Sequence, residues 1–105
     1  DRSKRSLMGE ALMKGSDIAI FTSDNPRSEN PTEILSEMTQ SLSISAPSQI
    51  IEDRLDAIRA AVALAQDGDT VIVLGKGHET GQEISGNITP FDDRIALAQA
   101  IESKP

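Results

Sequence analysis

Two stretches constrain this chain more than any others: an apolar run within residues 17–22, Ile18-Ala19-Ile20-Phe21, and a second at Thr70-Val71-Ile72-Val73-Leu74. Neither alternates apolar with polar residues. A strand with one wet face alternates, whereas a strand covered on both faces reads as a continuous apolar run. Segments of helical spacing lie around and between these runs. Strands separated by helices predict an α/β domain with a mostly parallel sheet covered on both faces.

The helical segments carry start and stop signals. Residues 6–14 (SLMGEALMK) predict a helix, with Gly15 as its stop. Asn30 is placed to cap a second helix, with Pro31 at its first position and Glu33 where a capping box needs an acid. Ile34, Leu35, Met38 and Leu42 then share a face. The serine-rich stretch SLSISAPSQ leads to Ile50-Ile51, a short or edge strand. Asp53 opens a third helix, lined by Leu55, Ile58, Ala61, Val62 and Ala65 and ended by Gly68. Residues 82–88 suit a small hairpin. Thr89, Pro90 and Asp92 mark a last helix, with Ile95, Ala98 and Ile101 turned inward. No internal repeat is present.

Composition narrows the function. A length of 105 residues suits one domain with a modest core, and 37% hydrophobic with 26% charged residues is a globular balance. A net charge of -7 and only two aromatic residues, Phe21 and Phe91, argue against nucleic-acid binding. No apolar run approaches the roughly 20 residues of a membrane helix. The absence of cysteine excludes disulfides and thiolate metal sites, and fits a reducing cytoplasm. The opening DRSKR, without a methionine, leads us to expect a piece of a longer chain.

In open parallel sheets, ligands bind beyond the carboxyl ends of the strands. Both apolar runs end in polar loops there: Asp24-Asn25-Pro26-Arg27 after the first, and Gly75-Lys76-Gly77-His78-Glu79 after the second. Two such loops can converge on one ligand. Arg27 offers a fork that matches a carboxylate or phosphate, and Asp24 and Glu79 offer acceptors for an ammonium group. Together they suit a zwitterion. Against this stand plainer roles: Asp24 and Asn25 as turn formers, and Arg27 as a solvated charge. Lys76 between glycines suits a phosphate, yet GKGHET lacks the P-loop order, and its glycines are spaced one residue too far apart for a dinucleotide fingerprint. His78, the one histidine, cannot build a histidine metal site and reads as a positioning residue.

DNPRSENP, EDR-x-x-AI over 52–58, VIVLGKGHETGQ over 71–82 and F-x-DR over 91–94 together resemble the C-terminal domain of the Mur ligases. The resemblance covers essentially the whole of residues 1–105, and the pairing of DNPR with GKGHE is specific. DRSKRSLMG is similar to the segment after that domain's first strand. The resemblance implies a Rossmann-like fold lacking that strand, and a three-domain enzyme whose N-terminal and central domains lie elsewhere. It also implies a cytoplasmic, ATP- and Mg2+-dependent amide ligase of peptidoglycan synthesis. That enzyme joins a diamino acid to UDP-N-acetylmuramoyl-L-alanyl-D-glutamate through an acyl phosphate, with ATP and Mg2+ held mainly by the central domain.

Carried over by motif, Arg2 corresponds to an arginine meeting the amino acid's carboxylate. Asp24, Asn25, Pro26 and Arg27 correspond to the loop reading its far end, and Gly75 and Glu79 to positions gripping the same amino and carboxyl groups. An arginine at position 27 implies meso-diaminopimelate rather than L-lysine, because the guanidinium can pair with a distal carboxylate. Lacking a P-loop, the domain alone is expected to be catalytically inactive, with no catalytic residue and no metal ligand of its own. The alternatives are a lysine-adding ligase and a freestanding small-molecule binding module.

Overall fold

The computed structural model describes residues 2–104, the side chain of Arg2 excepted. A short 3-10 turn, Arg2–Lys4, runs into α1 (Arg5–Gly15). Then follow β1 (Ile20–Phe21), α2 (Pro31–Thr39), β2 (Gln49–Ile50), α3 (Arg54–Leu64), β3 (Gly81–Ile84), β4 (Asn87–Pro90) and α4 (Asp93–Glu102). The class is α/β. β1 and β2 pair in parallel, Ile20 opposite Gln49 and Phe21 opposite Ile50. β3 and β4 form an antiparallel hairpin with Ile84 opposite Asn87.

α2, α3 and α4 start where side-chain chemistry requires them, whereas α1 starts after Lys4 without a side-chain cap. Asn30 Oδ1 accepts from the backbone N–H of Thr32 at 2.8 Å and of Glu33 at 3.4 Å, with Pro31 leading the helix. Asp53 caps α3 through Asp56 N at 2.9 Å, and Asp92 caps α4 through Arg94 N at 2.9 Å. Such caps satisfy backbone donors that a helix leaves unpaired in its first turn. α3 stops earlier than expected, at Leu64, and Gly68 (φ +92°) serves the turn beyond it.

Two expectations need correction. Residues 70–74 join no ladder among the described residues, and Ile72 and Leu74 remain exposed. A strand is defined by its partner, and among the described residues no neighbouring strand pairs with this segment. On α4, the inward face is Asp93, Ala96, Leu97 and Ala100, while Ile95 and Ile101 face solvent. The buried carboxylate of Asp93 turns the helix, because its partner Arg54 lies inside the domain.

Two clusters make the core. Ala19, Phe21 and Leu35, backed by Leu12, Met13 and Met38, bury β1 against α1 and α2. Ile58, Val62, Ala96 and Ala100, backed by Leu55, Val73 and Phe91, join α3 to α4. Helices α1 and α2 pack tightly at Gly9, where a Cβ would stand 1.9 Å from the Met38 carbonyl oxygen.

Candidate functional site

The loop over 24–27 emerges directly from β1, and the β3–β4 hairpin clamps it in place. Gln82 Nε2 donates to Asp24 O at 2.9 Å, and the Glu83 N–H donates to Asn25 Oδ1 at 2.8 Å. Arg27 N donates to Glu83 O, and Ser85 N to Arg27 O, both at 2.7 Å. These two bonds hold Arg27 at φ +57°, in the left-handed region where a side chain costs about 1 kcal/mol or more. The consequence is a defined backbone under an exposed guanidinium. Pro26 is buried beneath the turn.

The second loop reaches the same place. Gly75 adopts φ +110°, open to glycine, and a Cβ there would lie 3.2 Å from Asp24 Oδ2. The absence of a side chain lets the two loops touch. Lys76 folds inward, its side chain fully buried and its Nζ donating to Gly81 O, with Glu79 Oε1 4.0 Å away. It ties the loop to the first residue of β3. His78 and Glu79 are exposed.

Between the loops and the hairpin lies an open cleft of about 290 Å³, lined by Asn25, Arg27, Glu79, Thr80, Gly81, Glu83 and Ile88. Of the residues expected in the site, Asn25, Arg27 and Glu79 share this cleft. Asp24 and Gly75 stand against each other behind it, Pro26 and Lys76 are buried, and His78 lies outside its lining. The side chain of Arg2 lies outside the described residues. Gln82 and Glu83 were not anticipated. Their signal was faint: two polar residues in a short hairpin, whose contacts with residues 58 positions away no local pattern encodes.

Asp24 carries the site's clearest electrostatic departure. Burial pushes its carboxyl above the usual aspartate range, opposed by the nearby positive charges of Arg54 and Lys76, while Glu79 and Asp93 add to the rise. Its Oδ1 is buried with no hydrogen-bond partner among the described residues. An exposed arginine and an exposed carboxylate lining one cleft can receive a ligand bearing both charges.

Residues 1–77 match the family model described as Mur ligase, glutamate ligase domain. The chain belongs to the Mur ligase family. This Mur ligase domain is 52% identical over 108 residues to the UDP-N-acetylmuramoyl-L-alanyl-D-glutamate--2,6-diaminopimelate ligase of Streptomyces coelicolor, covering 97% of this chain and 21% of that protein. It is 46% identical over 105 residues to the ligase of the same name from Geobacillus thermodenitrificans, covering 99% and 22%. A solved structure of a UDP-N-acetylmuramoyl-L-alanyl-D-glutamate--2,6-diaminopimelate ligase superposes with a TM-score of 0.90 at 43% identity, over 98% of this chain and 21% of that one. The likeness establishes the Rossmann-like α/β fold of the Mur ligase domain. The chain spans about a fifth of the length of the relatives it matches.

Proposed function

We propose that this Mur ligase domain holds the incoming diamino acid in an ATP-dependent ligase that adds meso-diaminopimelate to UDP-N-acetylmuramoyl-L-alanyl-D-glutamate, in the cytoplasmic stage of peptidoglycan synthesis. The observation that carries the reading is the cleft in which Arg27 and Glu79, from two loops 52 positions apart (79 − 27), stand together. In it, Arg27 takes the distal carboxylate bidentately, and Glu79, with Asp24 behind, favours the ammonium. The names of the relatives supply the same substrate class.

Within the ligase the domain's work is positional. An amine attacks an activated carboxyl productively when it is held in line, and orientation of this kind is worth several kcal/mol of barrier. The 105 residues carry no GxxxxGK[ST] phosphate loop. The GKGHET loop turns its lysine inward. We therefore assign ATP and Mg2+ to other domains of the longer protein, and read the 105-residue chain as inactive by itself.

The test is a parallel assay of the full-length protein with meso-diaminopimelate and L-lysine at matched ATP and precursor. We expect a preference for diaminopimelate of about 10³-fold in kcat/KM, because lysine would leave Arg27 without its carboxylate. A preference for lysine would overturn the diaminopimelate assignment and leave the ligase intact. An upstream sequence without nucleotide-binding and UDP-binding domains would instead support a freestanding binding module.

A further inference from the structure

The residue that joins the two loops does not line the cleft. Arg54, the first residue of α3, is 2% exposed, and its guanidinium uses four of its five donors. Nε and Nη2 hold Asp93 Oδ1 and Oδ2 at 2.8 and 2.7 Å. Nη1 donates to Ser23 O at 3.0 Å, and Nη2 to Leu74 O at 3.0 Å. Ser23 immediately precedes Asp24, and Leu74 immediately precedes Gly75. One planar group therefore ties the roots of both site loops to each other and to the start of α4.

We propose that Arg54 is a positioning residue whose rigid fork sets the spacing between the 24–29 and 75–80 loops, and with it the grip of the cleft on a diamino acid. The inference rests on the proposed function of the cleft. Its geometric part does not. No ladder bonds link β1 to residues 70–74 among the described residues, so the guanidinium is the polar link between those two backbone courses. The same charge also helps keep Asp24 ionised against its burial, beside Lys76 and opposed by Glu79 and Asp93.

Arg54→Lys separates shape from charge. An ammonium keeps the charge at Asp93, but a single point donor cannot span both carbonyls and both carboxylate oxygens. Asp93→Asn is the second variant, since it keeps one acceptor and loosens the fork from the other side. In the full-length protein, both are expected to raise the KM for the diamino acid about tenfold or more while leaving kcat and the KM values for ATP and precursor within about threefold. Amide hydrogen exchange should accelerate in 24–29 and 75–80 and stay unchanged in α1 and α2. Unchanged KM and unchanged loop exchange in the variants would overturn the inference. So would a uniform rise in exchange across the domain, or outright unfolding of both variants, since either would make the pair a general prop. If the unsubstituted protein ligates no diamino acid, the proposed function fails, and the exchange comparison still decides the role of Arg54.

Discussion

The amide oxygen of Asn25 accepts the backbone N–H of Glu83 at 2.8 Å, joining a loop at the end of β1 to a hairpin 58 residues later. The residue expected to read a ligand is thus also part of the device that shapes its own loop.

Asn25→Ala should therefore harm stability as well as binding. It strands a part-buried donor, a loss of about 1–2 kcal/mol, visible as a lower urea midpoint. Asn25→Asp keeps the acceptor and should restore most of that stability. If Ala and Asp destabilise equally, the Glu83 bond is not what holds the loop.

Arg27 offers a sharper separation of the two effects. Arg27→Ala in the full-length ligase should lower kcat/KM for diaminopimelate by about 30- to 1,000-fold, the loss of one charge-assisted bidentate contact, with little change in the KM for ATP. Arg27→Gly should lose activity equally, yet gain about 0.5–1 kcal/mol of stability over the alanine variant, because glycine adopts φ +57° without strain. Equal stability of the two variants, measured by thermal unfolding, would show that the left-handed backbone carries no cost.

Asp24 predicts a pH dependence. Burial raises its folded pKa above the unfolded value, so the ionised form is penalised in the fold and that penalty disappears as pH falls through the raised value. Diamino-acid binding has the opposite dependence, since an ammonium needs the ionised acid. The kcat/KM for diaminopimelate should fall on the acid side at a pH above the ordinary aspartate range, while Asp24→Asn should fold more stably at neutral pH and bind worse. An acid limb at the ordinary aspartate pKa would contradict the assignment.

Gly9 tests the packing of α1 on α2. A methyl at Gly9 would meet the Met38 carbonyl at 1.9 Å, a clash that only movement of α1 against α2 can relieve. Gly9→Ala should cost about 1–3 kcal/mol despite improving helix propensity. Calorimetry would settle it; a higher Tm would mean the helices separate freely.

Much of this protein was legible along the chain because the physics involved is local. Asn30, Asp53 and Asp92 cap helices through backbone groups two or three residues away, and a buried apolar stripe on α3 repeats at helical spacing. The polar loops at 24–27 and 75–79 declared themselves by charge at the ends of apolar runs. What the tertiary structure alone decided involves partners far apart in sequence. Arg54 and Asp93 are 39 positions apart, and their pairing rotates α4 so that Ile95 and Ile101 face water although their spacing is that of a core stripe. Residues 70–74 have a strand's composition without a partner to pair with among the described residues, and pairing is a property of two segments, never of one.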